Sequence, residues 1–197
     1  MKNKNFKIFI LLFFCIALGV LFVTLFSKNK DESLSLTKNI NKFKLITHTN
    51  ENFDSNFVSN YPSLIFFGFL NCPDVCPFTL TKISEIIYKL NDKSGLMRYY
   101  FVTVDPERDK IKDLKEYLNA FHPKIIGVTG SNIDVEQFLK YMYVYKKKIP
   151  LDENNYTIDH SSQIFLFNKK GDFFGTLSTD EKDKNVLAKI KKIINGA

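Results

Sequence analysis

Several side chains are scarce in this chain of 197 residues, and the scarcity narrows its chemistry. It has three Cys, three His and no Trp. Structural zinc asks for four protein ligands, and this inventory offers no convincing set of four. Acidic residues are missing from residues 1–30, which carry five lysines. Beyond residue 30 the count is 23 basic against 21 acidic side chains, so most of the net charge of +7 sits at one end. The remainder lacks the basic face that a nucleic-acid binder needs. The lysine clusters at 146–148 and 189–192 are short and read as solvated surface, so no nucleic-acid partner is expected. Internal repeats and low-complexity segments are also absent. The lack of Trp, beside 20 Phe and many Lys, Asn and Ile, is a compositional bias with no functional content.

Charge is missing altogether from residues 8–26. Nineteen such residues are about enough to cross a hydrocarbon core of roughly 30 Å at 1.5 Å per residue. The alternative is a cleaved signal peptide, but the apolar run exceeds the usual length and no Ala-x-Ala-like site follows. A single transmembrane signal anchor is therefore expected. Lys2, Lys4 and Lys7 precede the span, while Lys28 and Lys30 are followed by Asp31 and Glu32. The positive-inside rule then leaves the N-terminus in the cytoplasm and the remainder outside it. The basic region before the span is too short and too poor in Arg for a transit peptide, which favours a bacterial inner membrane. Cys15 lies within the span after Phe14, where a lipoprotein would have a small residue, and reads as lipid-facing filler. The expected division is a basic end at 1–7, the anchor at 8–26, a polar linker at 27–42 and a globular domain at 43–197.

Two cysteines organise that domain. Asn71-Cys72-Pro73-Asp74-Val75-Cys76-Pro77 stands between an apolar run, Leu64 to Phe69, and a run with Leu80, Ile83, Ile86, Ile87 and Leu90 at helical spacing. The first reads as a buried strand and the second as an amphipathic helix over about 78–91. Pro77 suits the first turn of a helix, with Cys76 just before it. A thiol there feels the positive end of the helix dipole, which lowers its pKa. Both sulfurs are then expected as accessible thiolates, able to close a disulfide or to grip a soft metal.

The following pattern reads as a strand at 97–104, a helix marked by Ile111, Leu114, Leu118 and Phe121, and a strand at 125–128. A helix marked by Val135, Phe138, Leu139 and Met142 comes next, capped by Ser131 or Asn132. Residues 143–158 read as irregular. Strands at 162–167 and 172–177 form a hairpin around Gly171, and a last helix from about 179 buries Val186, Leu187, Ile190, Ile193 and Ile194. Short strands are expected at 43–47 and 53–58. The order predicts an α/β thioredoxin-like fold, a central mixed sheet flanked by helices. In that plan the loop entering the hairpin faces the cysteine loop. Ordinary oxidoreductases of this fold place a cis-proline there; here the loop is Tyr156-Thr157-Ile158-Asp159-His160-Ser161.

His160 is therefore the candidate third ligand beside Cys72 and Cys76. Two sulfurs and one imidazole suit Cu(I) and also accept Cu(II). His48 and His122 lie elsewhere and read as structural. A purely structural disulfide would close a loop of four residues and constrain the unfolded chain little. Asp105, Asp109 and Asp159 are candidates for orienting the histidine or the cysteine loop. Caps and turns are the competing reading, and Asp159 should point away from His160 as its neighbour in a strand.

At these residues the chain resembles the Sco/SenC family of membrane-anchored, thioredoxin-like copper proteins. The matching stretches are Phe67-Gly68-Phe69 with the Cys72–Cys76 segment, Val104 to Asp109, and Tyr156 to Ser161. The likeness covers about residues 43–195 as well as the anchor. Leu70 departs from the family, which often has Thr there. The resemblance implies Cys72, Cys76 and His160 as ligands of one copper ion. It also implies a role in assembling a copper centre of cytochrome c oxidase, with a copper-receiving oxidase subunit or another copper carrier as partner. That role is not enzymatic. The rival reading is a thiol-disulfide oxidoreductase or redox sensor in which Cys72 and Cys76 form a redox-active disulfide without metal.

Overall fold

The computed structural model describes residues 2–27, 34–153 and 155–196, with the side chains of Phe6 and residues 8–22 described in the first helix. Two compact units are present, Met1–Ser33 and Leu34–Ala197. The first contains α1 (Lys2–Ser27). The apolar side chains described in it are exposed all round, from Phe6 to Phe22. Among the described residues, however, no helix is long and apolar enough to cross a membrane. The fully described stretch, 8–22, spans only about 22 Å at 1.5 Å per residue.

The second unit begins earlier than the expected residue 43. After α2 (Leu36–Asn39), Leu36 and Ile40 are fully buried, so this part of the expected linker belongs to the fold. Residues 28–33 of that linker lie outside the described residues. Hydrogen bonds to residues far along the chain tie residues 35 and 36 to the fold. Leu36 N–H donates to the Gly171 carbonyl at 2.7 Å, and the Tyr141 hydroxyl donates to the Ser35 carbonyl at 2.6 Å.

The remaining elements are β1 (Leu45–Thr47), α3 (Ser55–Val58), β2 (Ser63–Gly68), α4 (Val75–Leu90), β3 (Arg98–Thr103), α5 (Ile111–Leu118), β4 (Ile125–Gly130), α6 (Asn132–Tyr141), β5 (Lys146–Pro150), β6 (Tyr156–His160), β7 (Ile164–Phe167), β8 (Phe173–Leu177) and α7 (Asp183–Ile194). Six strands form one sheet in the order β1-β4-β3-β2-β7-β8. Strands β2, β3 and β4 are parallel; β7 is antiparallel to β2, β8 to β7, and β1 to β4. This is the expected mixed thioredoxin-like sheet. All six residues of β2 are buried, as a central strand covered on both faces requires.

Three local expectations are corrected. Residues 53–58 contain a helical turn, α3, because the Asp54 carboxylate accepts from Asn56 and Phe57 N–H and caps it. Helix α4 starts at Val75, three residues before the expected start. Pro77 fits within its first turn, where its missing N–H has no partner to lose. Residues 143–158, expected to be irregular, contain β5 and most of β6, which pair as a hairpin, a separate two-stranded sheet with His160 opposite Lys146.

Candidate metal centre

Gly68, the last residue of β2, sets how the cysteine loop leaves the sheet. A Cβ on Gly68 would lie 2.7 Å from the Phe101 ring and 2.8 Å from Cys76 Sγ. Absence of that one atom lets the first turn of α4 close over the end of the strand. Cys76 is fully buried there. Cys72 is half-buried in the loop, and its sulfur accepts from Cys76 N–H at 3.4 Å.

His160 arrives from the opposite side, at the end of β6. Its Nε2 lies 3.7 Å from Cys76 Sγ, and its ring meets the Phe69 ring edge-on with centroids 5.8 Å apart. Nδ1 is 2.9 Å from the Ser161 carbonyl oxygen. A carbonyl only accepts, so Nδ1 carries the proton and Nε2 presents its lone pair toward the sulfur. Burial pushes the His160 pKa down, which keeps the ring neutral.

Cys76 is not the activated thiol that its place near a helix start suggests. Burial pushes its pKa well up, and a hydrogen bond from the Phe69 backbone offsets only part of this. Desolvation of a charged sulfur outweighs the helix dipole at a fully buried position. Without metal, the Cys76 thiol is protonated and donates toward His160 Nε2. Both Cys72 and Cys76 are free thiols, as is exposed Cys15. The structure thus brings Cys76 and His160 together, with Cys72 one hydrogen bond away. The three do not yet stand as a metal-holding group: among the described residues, no set of three or more His, Cys, Asp or Glu side chains does.

The Asp105–Asp109 turn ties both sides of the site together. Asp109 Oδ2 accepts from Leu70 N–H at 3.1 Å and from the Thr103 hydroxyl at 2.5 Å, which holds the cysteine loop. Burial nevertheless pushes its pKa up to about 6. Fully buried Asp105 accepts from Arg108 Nε at 2.5 Å and from the Tyr156 hydroxyl at 2.8 Å. Arg108 also donates to the Tyr156 carbonyl at 2.9 Å and lies 3.7 Å from the centre of its ring. One turn therefore holds the cysteine loop through Asp109 and the histidine hairpin through Asp105 and Arg108. Gly68, Arg108 and Tyr156 lie in the stretches that carry the family resemblance, but their roles as spacer and clamp show only in the fold. Asp159 is exposed and pairs across the hairpin with Lys147, away from the sulfurs. His48 accepts from Gly127 N–H at 2.7 Å, and His122 packs on Tyr88; both are remote structural groups.

The SCO1/SenC family model matches residues 32–195. The chain belongs to the SCO1/SenC family. It is 33% identical over 201 aligned residues to a SCO2-like protein of Rickettsia felis, covering 97% of this chain and 98% of that protein. Among solved members, Bradyrhizobium japonicum ScoI with copper bound superposes with a TM-score of 0.73 at 31% identity, over 77% of this chain and 96% of that one. Yeast Sco1 with copper bound gives 0.72 at 34% identity, over 79% and 87%. These SCO1/SenC structures share the thioredoxin-like plan on which Cys76 and His160 meet.

Proposed function

We propose that this chain binds one copper ion through Cys72 Sγ, Cys76 Sγ and His160 Nε2. It then passes the ion to an acceptor, a copper-receiving oxidase subunit or another copper carrier, in assembling a copper centre of cytochrome c oxidase. The observation that carries the reading is the 3.7 Å approach of Cys76 Sγ to His160 Nε2. Soft sulfur donors beside one imidazole match copper, and the Nδ1 hydrogen bond leaves Nε2 free to donate. Loading replaces the Cys76 proton and swings the Cys72 sulfur off the Cys76 N–H to complete the set. Three ligands leave room for an acceptor's ligand to enter before one of the three leaves, so the ion is never free. Competition against a Cu(I) chelator tests this. Cys72→Ser and Cys76→Ser should each lose copper to a chelator concentration that leaves the parent loaded; equal retention by either variant contradicts the site.

The second reading is thiol-disulfide exchange between the same cysteines. The half-buried Cys72 favours it as the attacking sulfur, whereas the buried, protonated Cys76 is a poor nucleophile. Turnover of protein disulfides by the metal-free protein would support it, and inertness would remove it.

We also propose that α1 anchors the chain in a bacterial inner membrane, with residues 34–197 on the extracytoplasmic side. The support is the uncharged run 8–26, the all-round apolar surface from Phe6 to Phe22, and the lysine asymmetry around the run. An aqueous helix hides one apolar stripe, not every face.

A further inference from the structure

A cavity of about 880 Å³ opens beside β1, at one edge of the main sheet, and reaches the start of α5. That volume lies within the range of about 300–1,000 Å³ in which proteins hold small molecules. Buried Phe43, Leu45 and Phe53 line it, together with half-buried Ile111. Of the residues that build the candidate metal centre it shares only Asp109, so it stands apart from the proposed copper site. The outer edge of β1 is already closed by its own chain. Thr47 N–H donates to the Glu51 carbonyl at 2.8 Å, and Phe53 N–H donates to the Leu45 carbonyl at 3.0 Å. An extended peptide therefore cannot join the sheet here, and the cavity suits a compact molecule.

Its charge is one-sided. Lys44, Lys110 and Lys112 line the cavity, against two acids, Asp54 and Asp109. Both acids have partners of their own. Asp54 Oδ1 accepts from Asn56 and Phe57 N–H at 2.9 and 3.1 Å, and Asp109 Oδ2 holds Leu70 and Thr103. The acids of the adjoining helices are engaged as well. Asp113 accepts from Lys110 N–H at 3.4 Å, and Asp134 accepts from Lys44 N–H at 3.0 Å and from Ser131. The Lys110 ammonium donates to the Pro106 carbonyl at 2.8 Å. Those of Lys44 and Lys112 make no hydrogen bond or ion pair among the described residues, and both residues are exposed. Lys44 lies within electrostatic reach of Asp134, which leaves Lys112 the freest of the three. Apolar walls beside available ammonium groups match a ligand that is apolar at one end and negative at the other. We infer that this cavity binds a small organic anion, with its apolar body against Phe43, Phe53 and Ile111 and its carboxylate or similar head at Lys44 and Lys112. Lys112 stands in the first turn of α5, where the helix dipole adds to the attraction for a negative head.

The test titrates the full-length protein by calorimetry with naphthoate, an aromatic carboxylate, and with naphthalenemethanol, which keeps the rings and carries no charge. The parent should bind one naphthoate per chain, about tenfold or more tightly than the alcohol, the worth of one charge-assisted hydrogen bond. Lys112→Glu should weaken naphthoate by a similar factor. An acid in a helix's first turn favours the helix, so this variant should melt no lower than the parent. Lys191→Glu makes the same charge change at an exposed position of α7 and should leave binding as it is. Ile111→Trp places a larger side chain in the cavity wall and should block naphthoate. Absence of saturable binding, equal affinity for the alcohol, or equal weakening by Lys112→Glu and Lys191→Glu would overturn the inference. Binding that either Lys112→Glu or Ile111→Trp leaves unchanged would also overturn it, since the anion would then sit elsewhere. No copper enters the experiment, so the copper site stands or falls separately.

Discussion

At the scale of single residues, the site depends on atoms that are missing or hidden. Gly68 has no Cβ, and the space it leaves is filled by Cys76 Sγ and the Phe101 ring. Gly68→Ala should cost about 1–3 kcal/mol by overpacking, read as a lower denaturation midpoint. It should also weaken copper retention by displacing the sulfur. Stability loss without any change in retention would show that Cys76 is not positioned this way. Asp109 makes a second residue-scale prediction. The unfolded chain loses this proton near the usual 3.8 and the folded chain at about 6. Between those values the folded state holds more protons, so stability falls as pH rises from about 4 to 6 and levels off above. A shift of this size corresponds to roughly 3 kcal/mol. Asp109→Asn keeps an acceptor for Leu70 and Thr103 and removes the charge, so its unfolding free energy should be higher than the parent's at pH 7 and flatter across pH 4–6. An unchanged slope would contradict the assignment. The candidate ligands Cys72, Cys76 and His160 stand out in the sequence because sulfur and imidazole are rare in the chain, and the fold brings Cys76 and His160 within 3.7 Å. The protonation of Cys76 was not legible. It depends on how completely the first turn of α4 is buried, and that turn starts three residues earlier than the hydrophobic spacing indicated.

Among elements, the alternating strands and helices of the core were readable because their apolar residues recur with periods of about 2 and 3.6. The β5–β6 hairpin was not. Lys146-Lys147-Lys148 shows no apolar alternation, and the hairpin has no core of its own. It is held from outside: Tyr156 is clamped by Asp105 and Arg108, and Lys148 pairs with Glu107 at 2.5 Å. Such anchoring joins residues about fifty positions apart and leaves no local pattern. The clamp also delivers His160 to the sulfurs. Arg108→Ala would leave the buried Asp105 carboxylate without its counter-charge, with only the Tyr156 hydroxyl still donating to it, at a cost of roughly 3 kcal/mol. Because the clamp serves the hairpin, the variant should lose copper retention even under conditions where circular dichroism shows the main sheet intact. Full retention would mean that the hairpin holds its position without Arg108.

For the whole molecule, two compact units, Met1–Ser33 and Leu34–Ala197, separate the proposed anchor from the proposed copper site. The unit begins nine residues before the expected boundary: residues 34–42 look polar, yet Ser35, Leu36 and Ile40 are buried and Leu36 is tied to the β7–β8 turn. If α1 anchors the chain, the full-length protein should stay with membranes through alkaline carbonate extraction, and residues 34–197 alone should be released. Release of the full-length protein would contradict anchoring. Copper stoichiometry of the reduced protein, measured beside His160→Ala, is the decisive test of the proposed site. One copper per chain is expected in the parent, with loss or marked weakening in the variant. Absence of stoichiometric copper in the parent, or binding indifferent to His160, would contradict it.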